Sequence, residues 1–426
     1  MNFKGTSGDD NLTGTSGDDV FNMSQGGDDI VAGGGGDDVF QFGAAMSSGD
    51  EVNGGAGNDT LVLKGNYGAS YLSLSSVNLV SVEAIVLDAG FSYELSLANS
   101  VVAAGASLTV NAGTLGAGNQ LTFDDSAEAD GSLVVKGGAG DDTIYGGRFH
   151  TTIDGGAGND SLNLYGGTNI VQAGAGNDNV AIYAPLSADT RIDGGTGTNQ
   201  LFIDYDTSAT GLVLNSHLLK DFDTLVPGGG LNHRLIAADS AVPAGQTLFV
   251  YANGLSSSHT LNFNGSKETD GAFYLQGGAG NDVLTGGHGN DGFEGRGGAD
   301  RMTGGAGADT FYYDSVSDST GKAHDVITDF DAAHDIFGLA VDAVDATVAA
   351  GALDPGKNFD SELAAAIGSG QLAAHDAVLF KPDSGALAGH TFVIVDANGV
   401  AGYQAGQDYV IQIDGVNALT VDANFT

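Results

Sequence analysis

A period of nine residues governs this chain. Between Gly5 and Phe40 four consecutive blocks read "GTSGDDNLT", "GTSGDDVFN", "MSQGGDDIV" and "AGGGGDDVF". Each has an acid at the sixth place (Asp10, Asp19, Asp28, Asp37) and an apolar residue at the eighth (Leu12, Phe21, Ile30, Val39). Four more blocks run without interruption from Gly277 to Tyr312: "GGAGNDVLT", "GGHGNDGFE", "GRGGADRMT" and "GGAGADTFY". Single copies begin at Gly54, Gly137, Gly155 and Ala173. A unit this short cannot bury its own apolar residue, so stability has to come from stacking neighbours into one continuous core. Glycines admit φ > 0 and let carbonyl oxygens converge without Cβ atoms in the way. The triplet after the acid forms a short strand whose middle residue points inward, by the period-two alternation of side chains.

One carboxylate beside bare carbonyls is half of an oxygen cage, and repetition supplies the other half. A hard cation such as Ca²⁺ takes ~6–8 oxygens at ~2.3–2.6 Å. The charge balance asks for such a partner, because 54 acidic against 13 basic residues give a formal charge of −41, and self-repulsion of that size opposes compaction. Nucleic acid is excluded as a partner, since phosphate binding needs clustered Lys and Arg, and no basic patch exists. The candidate metal ligands are Gly8 and Asp10, Gly17 and Asp19, Gly26 and Asp28, and Gly35 and Asp37 in the first array. Between the arrays they are Gly55, Gly57 and Asp59; Gly138, Gly140 and Asp142; Gly156, Gly158 and Asp160; and Gly174, Gly176 and Asp178. In the second array they are Gly278, Gly280 and Asp282; Gly287, Gly289 and Asp291; Gly298 and Asp300; and Gly305, Gly307 and Asp309.

These blocks resemble the GGxGxDxUx nonapeptides of the repeats-in-toxin (RTX) calcium-binding proteins. The resemblance implies an all-β fold, a right-handed parallel β-roll or β-helix solenoid. In that fold two nonapeptides make one coil, equivalent turns on one edge recur every 18 residues, and each Ca²⁺ lies between consecutive turns of that edge. Asp142, Asp160 and Asp178 keep this spacing, whereas the intervening blocks have Thr151 and Asn169 at the same place. The inward positions Ile144, Ile153, Leu162, Val171 and Val180 continue through both kinds of block. The pattern predicts cation binding along one edge and plain turning along the other.

A second period is longer. Residues 54–63 realign with 194–203 at an offset of 140, and the match runs on through "LTFDDSAEADGSLVVKGGAGDDTIYGG" from Leu121 against "LNFNGSKETDGAFYLQGGAGNDVLTGG" from Leu261. This tandem duplication sets the expected organisation: an N-terminal roll over 1–53, modules over 54–193 and 194–313, and a C-terminal cap and export region over 314–426. Each module contains an insert, 63–136 or 203–276, in which apolar and polar residues alternate between Gly, Asn and Ser turns. That is the pattern of half-buried strands, read here as wider coils of the same solenoid, with separate ligand-binding modules as the alternative. Asn199 stands where the first copy has Asp59, which predicts a weaker or absent leading site in the second copy.

After the last block, "YDSVSDSTGKAHDVITDFDAAHDIFGL" from Tyr313 is similar to the segment that closes the β-roll in RTX proteases and related exported proteins. Its acids Asp325, Asp329 and Asp335 are either ligands of a terminal ion or solvated turn residues. Val326, Ile327, Phe330 and Ile336 are expected to seal the open end of the stack. Phe359, Leu363 and Ile367 predict a short amphipathic helix with Asp360 or Ser361 as N-cap, part of a small α+β cap. Asp396, Asn398 and Asp408 belong to a calcium loop or to a plain β turn. The tail resembles the C-terminal export signals of type I secretion substrates, which implies a type I secretion apparatus as partner, a secreted protein at the cell surface, and a Gram-negative host.

The chain has no cysteine, hence neither disulfides nor thiolate metal sites. Its start lacks the basic and apolar regions of a secretory signal peptide, and no stretch reaches the ~18 apolar residues of a membrane span. No HExxH or GxSxG motif occurs, and nonapeptides from residue 5 to 312 leave no uninterrupted segment for a catalytic domain, so an enzyme is not expected. The leading expectation is a structural surface component, of an S-layer or biofilm matrix, that folds and associates with copies of itself on meeting calcium. Two alternatives remain. One is an adhesin or glycan-binding protein for cell-surface polysaccharide, with Tyr67, Tyr71, Phe91 and Tyr93 as stacking candidates; the other is a polysaccharide-modifying enzyme built on a β-helix groove.

Overall fold

In the computed structural model, which describes residues 1–356 and 358–426, the chain is nearly all β. It forms two compact units, residues 1–205 with 217–222, and residues 206–216 with 223–426. Among the described residues the helices are Phe359–Ala366, Val421–Asn424 and the 3₁₀ turn Val316–Asp318, and none is long and apolar enough to cross a membrane.

Strands of two to eight residues build the first unit, and they are held by in-register parallel stacking. One inward column takes a single residue from each coil: Phe21, Phe40, Leu61, Ile85, Val110, Val135, Ile153, Val171 and Ile192, none more than 1% exposed. A second column runs Leu72, Leu95, Phe123, Ile144, Leu162, Val180 and Leu201, and a shorter one runs Leu12, Val31, Val52 and Leu79. Like side chains therefore meet at the strand spacing of ~4.7–4.9 Å, and the rings of Phe21 and Phe40 stack with centroids 5.0 Å apart. Where nonapeptides are regular, His150 pairs with Thr168, a step of 18 residues; in the insert Leu61 pairs with Ile85 and Leu108 with Leu133, steps of 24 and 25. The first insert is thus a run of wider coils of this unit's stack.

The second unit repeats the plan with the columns Leu225, Val250, Leu275, Phe293, Phe311 and Phe337, and Leu235, Phe263, Leu284, Met302, Ile327 and Ile413. Its last coil passes into the cap: Asp325–Ile327 pairs in parallel with Tyr409–Ile413, which continues antiparallel to Phe392–Val395 and then to Ala377–Phe380. Phe359, Leu363 and Ile367 bury against Val378, Phe380, Phe392 and Val410, so the helix docks as its spacing predicts. Its N-cap is Asn358, ahead of both Asp360 and Ser361, which lie inside the first turn. Asp360 is instead held by the Tyr403 hydroxyl (2.7 Å), and the Ser361 hydroxyl donates to Asn358 O (2.8 Å). Of the residues expected to seal the stack, Ile327 and Phe330 are buried, but Val326 and Ile336 lie half-buried on the outer side, because Phe337, one place after Ile336, takes the inward position and stacks on Phe330 at 4.5 Å.

The first array slips by one residue. Met23 is an extra, buried residue, so the blocks run 5–13, 14–22, 24–32 and 33–41. Asp29 and Asp38, not Asp28 and Asp37, hold the sixth place; Gly27 and Gly36, not Gly26 and Gly35, hold the fourth. Val31 is 1% exposed while Ile30 is 45% exposed, and Phe40 rather than Val39 faces inward. The third and fourth blocks each have two adjacent acids followed by two adjacent apolar residues, so both frames fit the letters and only packing separates them.

Candidate metal centres

The sixth-place carboxylates form ladders along the turn edges that carry them. Their Oδ1 atoms accept the backbone N–H of the matching residue one coil earlier: Asp38 from Asp19, Asp59 from Asp38, Asp160 from Asp142 and Asp178 from Asp160, each at 2.8 Å. In the second unit Asp300 accepts from Asp282 (2.7 Å), Asp309 from Asp291 (2.9 Å) and Asp325 from Asp300 (2.8 Å). Asp50 and Glu83, which the nonapeptide reading passes over, join the same system by accepting from Asp29 and Asp59. The fifth-place residues make a second, exposed ladder that runs the other way. There the later coil donates, as when Asp37 N reaches Asp18 Oδ1 (2.9 Å) and Asn159 N reaches Asp141 Oδ1 (2.7 Å). Asp28 and Asp37 belong to this outer ladder.

The remaining carboxylate oxygen, Oδ2, exists in two arrangements. At Asp10, Asp19, Asp142, Asp282 and Asp291 it accepts the N–H of the second residue of its own turn. At Asp38, Asp59, Asp160, Asp178 and Asp300 it is buried without a hydrogen-bond partner. These turns have a left-handed second residue, as at Gly156 (φ +106°), and even Arg296 adopts that conformation (φ +68°) before Asp300. The first glycine shows what converges there. A Cβ at Gly33 would overlap Asp38 Oδ2 and the carbonyl oxygen of Gly54 from the next coil. At Gly155 it would overlap Asp160 Oδ2 and Ala173 O, and at Gly54, Asp59 Oδ2 and Ser81 O. Carboxylate and carbonyl oxygens are both acceptors, so a buried meeting of the two without a donor fits a cation.

Asn199 is the internal control. At Gly194, the equivalent of Gly54, a Cβ would approach Asn199 Nδ2 and Asp221 O, the counterparts of Asp59 Oδ2 and Ser81 O. Here the amide nitrogen donates to Asp221 O at 3.0 Å. A neutral donor thus closes in the second copy the gap that Asp59 leaves between two acceptors. Along the opposite edge, Thr151, Asn169 and Thr190 are buried uncharged residues, with Asn169 N donating to Thr190 Oγ1 (3.2 Å) and Asn169 Nδ2 to Gly166 O (2.9 Å).

Burial pushes these carboxyls up: Asp160 and Asp309 to about 7, Asp282 and Asp291 to about 6, in each case partly offset by backbone N–H donors. Asp300 is raised by burial and then by the charges of Asp282 and Asp318, and Asp325 by burial and then by the charge of Asp300. Ionised carboxylates in such places need counter-charge, which a divalent cation held by the open aspartates and the facing main-chain carbonyls would supply. Among the described residues no three His, Asp or Glu side chains converge on one point; each cradle consists of one carboxylate and main-chain oxygens.

The closing acids divide. Asp325 and Asp335 are buried and extend the ladder, Asp335 accepting from Asp309 N (3.0 Å) and from Asp331 N (2.7 Å). Asp329 is exposed and binds the N–H groups of Gly304 (2.8 Å) and Gly305 (3.0 Å). Asp396 and Asp408 hold their own loop, accepting from Gly399 N (2.6 Å) and Gln404 N (2.6 Å). Tyr67 and Tyr93 are buried and stack on each other at 5.9 Å, with hydroxyls donating to Gly43 O and Asp88 O, so neither presents a face to a glycan. Tyr71 remains 53% exposed.

The family model for the RTX calcium-binding nonapeptide repeat matches residues 4–40, 46–64, 134–152 and 149–180. A model described as peptidase M10 serralysin C terminal matches residues 273–350. No curated protein sequence matches the chain.

Proposed function

Because the chain is an RTX protein, calcium-binding and exported by type I secretion, we propose that it is a structural component of an S-layer or biofilm matrix whose coils are locked by external Ca²⁺ and then associate with further copies. The serralysin-type match, at residues 273–350, is to the C-terminal region of that family and not to its catalytic domain. The observation that carries the reading is the contrast between Asp59 and Asn199: the same turn either leaves two acceptors face to face or closes them with its own amide. Open cradles of this kind at Asp38, Asp59 and Asp160 draw their oxygens from different coils, so the sites exist only in the folded chain and ion binding is coupled to folding.

Each native-only site adds about 2.7 kcal/mol when free calcium is 100 times Kd. A handful is comparable with the ~5–15 kcal/mol that holds an ordinary domain together. Low cytosolic calcium then leaves the arrays loose enough for export, and millimolar external calcium folds them. Association is supported by the outer ladder, which sets exposed acids such as Asp9 and Asp28, and Asp18 and Asp37, in rows with one member per coil, so a contact bridged by a divalent ion is made repeatedly. Burial of Tyr67 and Tyr93 weighs against the glycan-binding alternative.

Far-UV circular dichroism across a calcium titration tests the folding step, with β signal expected to grow from chelator to millimolar calcium; an unchanged spectrum overturns it. Electron microscopy of the calcium-loaded protein tests the structural role: sheets or filaments are expected, and persistent monomers refute it.

A further inference from the structure

Outside the nonapeptide turns, the first insert buries a carboxylate pair that has no cationic partner among the described residues. Asp125 and Glu128 stand in the loop between strands Leu121–Asp124 and Ser132–Lys136 and are 0% and 1% exposed. Neither oxygen of Asp125 has a hydrogen-bond partner. Glu128 Oε1 collects the N–H groups of Ala129 (2.9 Å), Asp130 (3.0 Å) and Gly131 (2.9 Å), while its Oε2 is buried without a partner. The next coil closes on the pair at Gly147, where a Cβ would lie 3.0 Å from Asp125 Oδ2 and 3.2 Å from Glu128 O. Asp125 Oδ2 and the Glu128 main-chain carbonyl thus meet at Gly147, and three unpartnered carboxylate oxygens lie buried in the same loop.

The duplicated copy fills the same loop differently. Glu268, at the place of Glu128, keeps the loop N–H groups on Oε1 and gives Oε2 to Val242 N (3.1 Å), so both its oxygens are partnered. Gly265 replaces Asp125 and Phe273 replaces Leu133, and the Phe273 ring reaches within 2.5 Å of where a Gly265 Cβ would sit. One copy fills the space with an aromatic ring, the other with a second carboxylate facing unpaired oxygens.

We propose that Asp125 and Glu128 form a separate buried site for one divalent cation of the Ca²⁺ class, present in the first insert and absent from the second. All available ligands are hard oxygens, without His or Cys, which selects that class of ion. Two carboxylates match a divalent charge, and leaving them buried and unpaired is costly. The site does not depend on the nonapeptide cradles, since it shares no residue with them.

The test counts calcium bound per full-length chain by equilibrium dialysis, with folding followed by circular dichroism. Asp125→Asn and Glu128→Gln are each expected to bind one ion fewer than the unmodified protein, and the double variant is expected to lose the same single ion. Asp160→Asn, as an array control, loses its ion independently, so its deficit adds to that of Asp125→Asn. Should Asp125→Asn fold poorly, the pair Asp125→Gly with Leu133→Phe installs the arrangement of the second copy and is expected to fold with one ion fewer. If the arrays bound no calcium, this site would still give one ion that Asp125→Asn removes. An unchanged count in folded Asp125→Asn, Glu128→Gln and Asp125→Gly/Leu133→Phe overturns the proposal. That result would assign the neutralisation to a proton on Asp125, whose carboxyl burial and the neighbouring Glu128 push up to about 8.

Discussion

Asn199→Asp should create a calcium site where the second copy has none, at a cost that depends on calcium. In the native turn the Asn199 amide donates to Asp221 O at 3.0 Å. Aspartate would replace that donor by an acceptor and leave a buried charge facing a carbonyl, a loss of about 1–3 kcal/mol or more. A bound ion returns RT ln(1 + [L]/Kd), which is about 0.4 kcal/mol at free calcium equal to Kd and about 2.7 kcal/mol at 100 times Kd. The destabilisation measured against the unmodified protein should therefore shrink by about 2.3 kcal/mol between those two concentrations, and at saturation the variant should hold one ion more than the unmodified protein. Urea unfolding of both proteins at several buffered calcium levels measures the difference, because contributions from the shared sites cancel. A penalty independent of calcium would refute the claim that the open cradles are cation sites.

On the edge reading, Asp160→Asn should abolish an ion and Asn169→Ala should leave the count unchanged, by equilibrium dialysis; equal losses would sink it. The buried aspartates also predict a pH dependence in chelator. Their folded pKa values, about 6 for Asp282 and Asp291 and about 7 for Asp160 and Asp309, lie above the unfolded value near 4. The folded chain therefore binds more protons, and its stability is fully present below about pH 4 and is lost as pH rises through about 6–7. Circular dichroism in chelator should show more β structure at pH 5 than at pH 8, and the reverse order contradicts the assignment. Phe293→Ala, which removes a ring stacked at 5.1 Å on Phe311, should cost about 3–5 kcal/mol in calcium-loaded protein by urea unfolding; a loss below about 1 kcal/mol would mean that the column is not a packed core.

The stack, its 18-residue step and its inward columns were legible because glycine spacing and apolar alternation repeat the same signal many times. Errors arose where the signal was doubled or single. Paired acids and paired apolar residues in blocks three and four fit two frames, and only the burial of Met23 selects one. Ile336 and Phe337 pose the same ambiguity at the closing strand. The helix at 359–366 was visible in its apolar spacing, but the position of its N-cap depends on Tyr403 drawing Asp360 away, a contact 43 residues distant. Asp125 looked like one more acid in an acidic chain; its substitution by Gly265 in the duplicate carried a hint, but burial is what sets it apart.

The inner and outer ladders give a coil a direction. Donors such as Asp142 N reach forward into the following coil, whereas donors such as Asn159 N reach back to the preceding one. No coil is self-sufficient, and the two faces of a severed stack would differ chemically. One would show amides in want of carboxylates along its inner rim; the other would show carboxylates in want of amides. Within each compact unit, unravelling should therefore start at exposed ends and travel rung by rung, as a zip fastener opens, while the middle of the stack stays shut.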